Sequence, residues 1–459
     1  MRDSKFGRWT FALLPLLLFA IGTQATGGER LADPAPSADR RSDSDSEGAG
    51  SDELRKVYTA MGEADSAALF ALYKSKDPIV HVLAAMAIER THFNLDAASK
   101  DAQICEDNLS QSKPAIALLC GQFRAGNLRL AGKWRAAMDA EAALVRRYRD
   151  RSPELDHRVA ELQEFLDHEA DVSQFSIDTP SVDVSLPLKK RATEDDFDKT
   201  SFPAGRSKRD VTQPILSARA NGRDFDLLLD TGANDLILDE RKARDLGVKF
   251  LDEQGVARGW LSTGIKTQRG VLDSLQIGSI TLHNAPVTIV PRRNALIGIN
   301  LLAPLGALRL TDKTLTVYAK PDNVPSCDRD MQVGTDPQGR RLRILPEFLV
   351  NDQAHHVMVD TGASSFLIGT QAALQQVTHL VKGNVSIDDI GGRHTSVGAE
   401  GAKVRMQIDR QPFNIYFIVY TGSTFPFDIA LGAGALKDMD FVFDFRRQSL
   451  CFPMHPNAR

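Results

Sequence analysis

The stretch "DLLLDTGAND", residues 226–235, has a counterpart in "HVMVDTGASS", residues 356–365. Each is a short apolar run that leads into Asp-Thr-Gly-Ala, and the two aspartates, Asp230 and Asp360, lie 130 positions apart. An isolated Asp-Thr-Gly after a strand is most simply a structural turn, because Asp bonds neighbouring amides and Gly accepts unusual backbone angles. The repetition favours a different interpretation, in which two matching loops face each other.

The flanks of the two motifs repeat one order of elements. The first flank, "PILSARANGRDFDLLLDTGA" (214–233), indicates a strand, an Asn-Gly turn and a second strand that ends at Asp230. Asn-Gly is the strongest short-range hairpin signal, because both turn residues need positive φ. The second flank, "EFLVNDQAHHVMVDTGA" (347–363), repeats this order with an Asn-Asp turn. We therefore predict a tandem duplication of an all-β unit, with a first lobe at 211–320, a connection at 321–341 and a second lobe at 342–459.

The preceding part of the chain has a different composition. Residues 52–170 are rich in Ala, Leu, Glu and Arg without strand-like alternation, which indicates several helices. Within this region, 125–153 resembles one tetratricopeptide (TPR) repeat, at Leu128, Gly132, Trp134, Ala137, Leu144 and Pro153. A single repeat is equally consistent with an unrelated helical bundle. The polar segment 171–210 is predicted to be a linker that contributes an outer strand to the first lobe.

The first residues have the features of a secretory signal peptide. Basic residues precede the apolar run 11–21, and small residues follow it up to Ala25. The run is shorter than the roughly 20 residues that cross a bilayer as a helix. We expect a signal peptide at 1–25, a disordered tether at 26–51 and export to a bacterial periplasm or the extracellular space. An uncleaved signal would instead leave a membrane-anchored protein.

Charge and cysteine content limit the classes of partner and cofactor. The net charge of −4 and the pI near 6.2 provide no overall basic field, so nucleic acid is not expected as a partner. Four cysteines in an exported chain permit disulfides, and the simplest pairing joins Cys105 to Cys120 and Cys327 to Cys451. Four reduced, buried thiols remain the alternative. The chain has no Cys-x-x-Cys or His-Glu-x-x-His spacing, and we predict no metal site and no cofactor.

Two carboxylates on the axis between pseudo-symmetric lobes would have a definite chemistry. Carboxylates about 3 Å apart cannot both ionise, so they share one proton. The ionised carboxylate can then accept a proton from water while its protonated partner donates to a peptide carbonyl oxygen. The glycines would allow tight turns, and the hydroxyl groups of Thr231 and Thr361 would bond across to the facing loop.

Residues from 211 to the end resemble a retropepsin-like aspartic protease, present as two fused copies as in pepsin-like enzymes. "DTGA" is the retroviral spelling of the motif, and "ALIGINLLAPLG" (295–306) is similar to the retroviral segment that opens a short helix. The resemblance implies a multidomain chain, in which an N-terminal α-helical, TPR-like domain precedes an all-β bilobal acid-protease fold whose cleft forms within one chain.

The resemblance also implies roles for individual residues. Asp230 and Asp360 would be catalytic. Their loops would be supported by the residues that follow them, Thr231, Gly232, Ala233, Thr361, Gly362 and Ala363. Flap hairpins are expected around Trp260 and around Gly391 and Gly392.

Two departures from the family pattern lead to further expectations. A retroviral Arg–Asp pair beside the catalytic loop is replaced by Ile299 and Asn234, so packing there is expected to depend on apolar contacts. Pepsin-like enzymes have Ser or Thr after Asp-Thr-Gly, where this chain has Ala233 and Ala363. Fewer hydrogen bonds to the ionised carboxylate leave the pKa of the pair less depressed. We expect a pH optimum in mildly acidic rather than strongly acidic conditions.

These observations support an aspartic endopeptidase that acts on extended protein or peptide substrates, with the helical domain as a docking surface for a protein partner. The alternative from another class is a non-catalytic peptide-binding or scaffold protein of the cell envelope that uses the same cleft. A third hypothesis is a zymogen in which segment 171–210 fills the cleft until it is cut at basic sites. Those sites would be Lys189-Lys190-Arg191 and Arg206-Ser207-Lys208-Arg209.

Overall fold

The structure, a computed structural model, describes residues 45–193, 211–259, 262–291, 295–370, 381–388, 394–408, 411–420 and 427–456. The predicted signal peptide and the first part of the predicted tether lie outside these residues. A helix begins at Asp45, inside the segment predicted as a disordered tether. In the part of the chain that is described, no helix combines the length and the apolar character needed to cross a membrane.

The N-terminal part is helical, as the composition predicted. Its helices are α1 (Asp45–Gly62), α2 (Ser66–Tyr73), α3 (Pro78–Thr91), α4 (Leu95–Leu109), α5 (Pro114–Leu130), α6 (Trp134–Tyr148) and α7 (Pro153–His168). Local sequence sets several of the starts. The side chains of Asp65 and Asp77 accept hydrogen bonds from Ala68 N and Ile79 N at the starts of α2 and α3, at 2.9 and 2.8 Å. Successive helices pack against one another, and the TPR-like character of the domain stays a prediction.

The strands that precede or belong to the first lobe run from residue 176 to residue 318. They are β1 (Ser176–Asp178), β2 (Val184–Pro187), β3 (Lys189–Thr193), β4 (Val211–Ala220), β5 (Arg223–Asp230), β6 (Leu236–Asp239), β7 (Lys249–Ala257), β8 (Ile265–Ile277), β9 (Ile280–Val290), β10 (Ala295–Gly298), β11 (Ala307–Leu310) and β12 (Thr314–Tyr318). Two short helices, α8 (Glu240–Asp245) and α9 (Ile299–Leu302), lie between them.

The connection and the second lobe supply the remaining strands. They are β13 (Arg329–Asp330), β14 (Val333–Thr335), β15 (Leu342–Ile344), β16 (Glu347–Val350), β17 (Gln353–Asp360), β18 (Leu367–Gly369), β19 (Val381–Asp388), β20 (His394–Ile408), β21 (Gln411–Tyr420), β22 (Ile429–Gly432), β23 (Phe441–Asp444) and β24 (Ser449–Cys451).

The two lobes are closed rings of strands with the same order. The first ring runs β4, β5, β10, β6, β9, β8 and back to β4, and the second runs β16, β17, β22, β18, β21, β20 and back to β16. Both hairpins expected from the sequence are present, with positive φ at Asn221, Gly222, Asn351 and Asp352. The prediction of a helical region followed by a duplicated, bilobal β fold is confirmed.

A separate sheet joins the two lobes. Its strands are β13, β24, β23, β11, β12 and β2, and the central pair, β23 with β11, brings together one strand from each lobe. Strand β2 comes from the segment predicted as a linker, as do β1 and β3, which pair with β9 and β4. That segment therefore forms part of the protease sheets through to Thr193.

The helical domain is fixed to the lobes through a shared core and through two arginines, Arg90 and Arg129, the second of which donates to Gln338 O. Phe93 and Trp134 lie in one apolar cluster with residues of both lobes. Buried Arg90 donates to the carbonyl oxygens of Asp336 and Pro337, at 2.8 and 3.0 Å, and also to that of Phe123. Burial lowers the pKa of Arg90 to about 9, and the negative charge of Asp336 acts against this loss of charge. The accepting carbonyl oxygens satisfy the buried guanidinium donors.

Replacing Arg90 tests the energetic role of this contact. Arg90→Met keeps most of the side-chain volume but leaves three carbonyl oxygens without this donor, and we expect the free energy of unfolding to fall by about 3 kcal/mol. Urea denaturation followed by circular dichroism measures the change. The matched control is Arg219→Met, which breaks an exposed pair with Asp224 and should change nothing measurable. Equal effects of the two substitutions would contradict a stabilising role for Arg90.

Candidate active site

Each motif aspartate is the last residue of a central strand in its ring. Asp230 ends β5, where it pairs in parallel register with Gly298 of β10, and Asp360 ends β17, where it pairs with Gly432 of β22. The apolar residues before them are buried, as at Leu229 and Val359, both 1% exposed or less. The strand ends are therefore held by packing on both faces, which fixes the backbone from which each carboxylate projects.

Equivalent hydrogen bonds shape the two loops. Ile299 N donates to Ala233 O at 2.9 Å in the first lobe, and Ala433 N donates to Ala363 O at 2.8 Å in the second. Both donors follow the glycine that pairs with the aspartate. Each loop is thus tied to the segment after its paired glycine by a backbone hydrogen bond, which does not depend on side-chain identity.

The two threonines connect the loops reciprocally. Thr231 Oγ1 donates to Val359 O and Thr361 Oγ1 donates to Leu229 O, both at 2.7 Å. Each hydroxyl also accepts from the other threonine's backbone N–H, at 3.1 Å in both directions. Thr231 and Thr361 are 1% and 0% exposed. This closed set of four bonds satisfies buried groups of both lobes and fixes their separation.

The two carboxyl groups meet between the loops. A Cβ atom on Gly232 would lie 2.5 Å from Asp360 Oδ1, and one on Gly362 would lie 2.6 Å from Asp230 Oδ2. Each aspartate therefore lies over the glycine of the opposite loop, in space that any larger residue would occupy. The side chains of Asp230 and Asp360 also hydrogen-bond each other, so the structure brings both predicted catalytic residues together.

The environment favours the protonated form of Asp230. Burial, then the charge of Asp360 and the hydrogen bond to it, raise the pKa of Asp230 well above its usual value. Backbone donors act in the opposite direction, since Gly232 N and Ala233 N lie 2.9 and 3.2 Å from Asp230 Oδ1. Gly362 N and Ala363 N make the same contacts with Asp360 Oδ1, at 3.0 and 3.3 Å. Asp360 itself is 4% exposed.

Polar contacts, rather than the expected apolar packing, hold the residues that follow the first motif. Asn234 Oδ1 accepts from Leu342 N at 3.1 Å, so this side chain binds the connection between the lobes. Asp235 Oδ2 accepts from Arg269 and from Thr288 Oγ1, both at 3.0 Å. Ile299 is buried in the apolar core, as expected. Apolar packing does not extend to Asp235, because Arg269, distant in sequence, supplies a charge that pairs with it.

One further side chain, which no sequence motif indicates, also reaches the site. Gln213, on β4 of the first lobe, donates through Nε2 to Gly362 O of the second catalytic loop at 2.9 Å. A polar residue in a strand is a weak signal, since half of all strand positions face away from the core. Its contact depends on how the two rings are placed, which local patterns do not encode.

The predicted flap residues lie outside the described residues. Trp260 falls between β7 and β8, and Gly391 and Gly392 fall between β19 and β20. Both strand pairs are antiparallel, as expected of flap hairpins.

The cysteines form the two disulfides that were the simplest pairing, Cys105 with Cys120 and Cys327 with Cys451. The first joins α4 to α5, and the second joins the connection to β24. Within the described residues, no group of three or more His, Cys, Asp or Glu side chains is arranged to hold a metal ion.

The threonine contact between the lobes can be tested by removing one hydroxyl. Thr231→Val leaves Val359 O without its donor and Thr361 N without its acceptor. We expect the free energy of unfolding to fall by about 2 to 4 kcal/mol, because each unsatisfied buried group costs about 1 to 3 kcal/mol. Urea denaturation measures the loss, and Thr231→Ser, which keeps the hydroxyl, is the control. A Val variant as stable as the Ser variant would contradict the role of these bonds.

Comparisons with known proteins give one family match and several similar solved structures. Residues 216–301 match the family model described as aspartyl protease. An aspartic proteinase from Irpex lacteus is 12% identical, with a TM-score of 0.38, over 60% of this chain and 98% of that one. A retropepsin-like aspartic protease from Rickettsia conorii is 18% identical, with a TM-score of 0.21, over 31% and 93%. Basic 7S globulin from soybean is 14% identical, with a TM-score of 0.32, over 60% and 95%.

No curated protein matched the chain. The family match falls in the first lobe and includes Asp230, and the second lobe repeats the same strand order around Asp360. The resemblance to the aspartic proteases is therefore confirmed: a helical region precedes two fused β lobes of one strand order, the first of which matches the aspartyl protease family.

Proposed function

We propose that the protein is an aspartic endopeptidase that hydrolyses peptide bonds with Asp230 and Asp360. The observation that supports this most strongly is that each carboxyl group lies over the glycine of the opposite loop and hydrogen-bonds its counterpart. A turn that served only structure would have no need of a second, buried carboxyl group in contact with it. Burying two acids together costs free energy, and catalytic sites are where such costs are commonly found.

The shared proton defines the chemistry of the pair. A water molecule between the carboxyl groups loses a proton to the ionised member as its oxygen attacks the peptide carbonyl carbon. The protonated member donates to the carbonyl oxygen, and a tetrahedral diol forms. When the diol collapses, the member that accepted the water proton passes it to the amide nitrogen while the other member takes a proton from a diol hydroxyl. The C–N bond breaks, and the pair again holds one proton. The raised pKa of Asp230 keeps an acid available at mildly acidic pH.

The zymogen hypothesis has less support than the constitutive enzyme. Strand β2 pairs with β12, and β3, which includes Lys189-Lys190-Arg191, pairs with β4. Cutting at this basic site would therefore remove paired strands from the protease sheets rather than release a plug. The second basic site, Arg206-Ser207-Lys208-Arg209, lies outside the described residues.

We keep two proposals that rest on the sequence alone. The first is export through the N-terminal signal, and the second is a protein partner for the helical domain.

The first test of function is to neutralise one carboxylate at a time. Asp230→Asn and Asp360→Asn keep the side-chain shape but prevent the sharing of a proton, and we expect each to lower kcat by at least about 10³-fold. Cleavage of a mixed peptide library by the purified full chain is followed by mass spectrometry between pH 3 and 7. The control Asp224→Asn removes an exposed carboxylate of the same lobe and should retain full activity.

The outcomes separate the functional classes. Cleavage that survives either active-site substitution would contradict the shared mechanism. A wild-type chain that binds peptides without cutting them, with both variants binding equally well, would favour the non-catalytic scaffold.

The second test concerns pH. At low pH both carboxyl groups are protonated and no base remains, whereas above the raised pKa both ionise and no acid remains, so the profile of kcat is bell-shaped. Ala233→Ser adds a donor beside Asp230, which favours the ionised form of that carboxyl group and lowers its raised pKa. We expect the alkaline limb to move about one pH unit towards acid, since a hydrogen bond to a charged group is worth about 1.5 kcal/mol. Ala354→Ser, at an exposed position of β17, is the control, and an unmoved limb would contradict the argument.

A further inference from the structure

The two catalytic loops differ directly after the shared motif. The first continues with Asn234-Asp235 and the second with Ser364-Ser365. Ser365, which corresponds to Asp235, has no carboxylate with which to form an ion pair. Both residues of the first pair make polar contacts that lead away from the protease cleft. The partners of these two residues, Arg269 and the segment 336–342, also bind the helical domain.

The first route runs through Arg269 of β8. One terminal guanidinium nitrogen donates to Asp235 Oδ2 and the other to Glu169 Oε1, both at 3.0 Å. Glu169 caps the C-terminal end of α7, the last helix of the helical domain. The side chains of Arg269, Glu169 and Asp235 are 15%, 6% and 22% exposed, so the bridge is shielded from solvent.

The charges of this bridge are mutually stabilised. Burial acts against the ionised form of Glu169, but the charges of Arg269, Arg129 and Arg340 lower its pKa. Burial likewise opposes the charge of Arg269, but Glu169, Asp235 and Glu253 raise its pKa. For Glu253, whose Oε2 lies 3.9 Å from Arg269 Nε, burial and the charge of Glu169 raise the pKa. The guanidinium is therefore held in its charged form between the helical domain and the loop.

The second route runs through the connection between the lobes. Asn234 Oδ1 accepts from Leu342 N at 3.1 Å, and Asn300 Nδ2 donates to Arg340 O at 2.7 Å. A few residues earlier, the carbonyl oxygens of 336–338 accept hydrogen bonds from Arg90 and Arg129 of the helical domain. Residues 336–342 are thus held on one side by two helices and on the other by the first catalytic loop.

We propose that Asn234 and Asp235 are positioning residues through which the helical domain holds the first catalytic loop, and with it Asp230, in its working geometry. Asp235 O also accepts from Gly298 N at 2.9 Å, beside the point where β10 pairs with Asp230. A displacement of Asp235 is therefore transmitted to the backbone that carries the carboxylate. The helical domain is then a structural part of the catalytic unit in addition to any docking role.

The proposal rests on the proposed protease function for its kinetic readout, so a second readout independent of activity is needed. The variants are Glu169→Gln, Asp235→Asn and the double variant, each of which keeps side-chain shape and removes one charge of the bridge. The control is Asp224→Asn, which breaks the exposed pair with Arg219 in the same lobe. All are made in the full chain, and circular dichroism verifies folding.

The kinetic arm separates positioning from general stability. We expect each single variant to lower kcat about tenfold with KM nearly unchanged, because a small misplacement of a catalytic group can cost up to about 10²-fold in rate. The double variant should lose little more than either single variant, since both remove the same bridge. Equal losses of kcat in Asp224→Asn, or losses that multiply in the double variant, would overturn the proposal.

The exchange arm measures the loop itself. Hydrogen–deuterium exchange followed by mass spectrometry should show amides of 230–236 exchanging about tenfold faster in the variants, while those of the equivalent loop, 360–366, keep the wild-type rate. Unchanged exchange at 230–236, or an equal increase in both loops, would overturn the proposal. If the wild type cleaves no peptide but the variants exchange selectively faster at 230–236, the proposed protease function is contradicted and the coupling to the helical domain is supported. The two proposals can therefore fail separately.

Discussion

The reciprocal hydrogen bonds of Thr231 and Thr361 are the constraint on which the rest of the site depends. Each hydroxyl donates to a carbonyl of the opposite lobe and accepts from the opposite threonine's N–H, so neither loop can satisfy its buried groups without the other. These bonds set the distance between the strand ends, and that distance places two carboxyl groups in contact. The raised pKa of Asp230 is then a consequence of burial and of the neighbouring Asp360, both of which follow from lobe packing, whereas the backbone donors of its own loop lower it.

The repeated features of the fold were predictable because they are local. Hairpins at Asn221-Gly222 and Asn351-Asp352 follow from the need for positive φ, and buried strands that end at Asp230 and Asp360 follow from short apolar runs. Because the same local signals occur twice, pseudo-symmetry and a meeting of the two aspartates could be inferred without knowing any distance. Duplication thus supplied long-range information that a single copy lacks.

The contacts that break the symmetry were not predictable, because they join residues far apart in the chain. Arg269 meets Glu169 across 100 positions and Asp235 across 34, and Gln213 meets Gly362 across 149. An arginine in a strand carries no sign of which carboxylates it will face. The strands within 171–193 were missed in part for a related reason, since their pairing depends on the edges that β9, β12 and β4 leave open.

The two loops differ after the motif because the two lobes contact different neighbouring segments. The segment between α7 and β4 adds β1 and β3 to the first ring, and Arg269 ties the same ring to the end of α7. A loop bounded by such neighbours can use a charged residue after its motif, because a buried guanidinium is available to pair with it. In the second lobe the short, uncharged Ser364 and Ser365 need no such partner. The two loops therefore differ after the motif because only the first loop bonds to segments that contact the helical domain. The motifs themselves are identical because each loop makes the same contacts with the other.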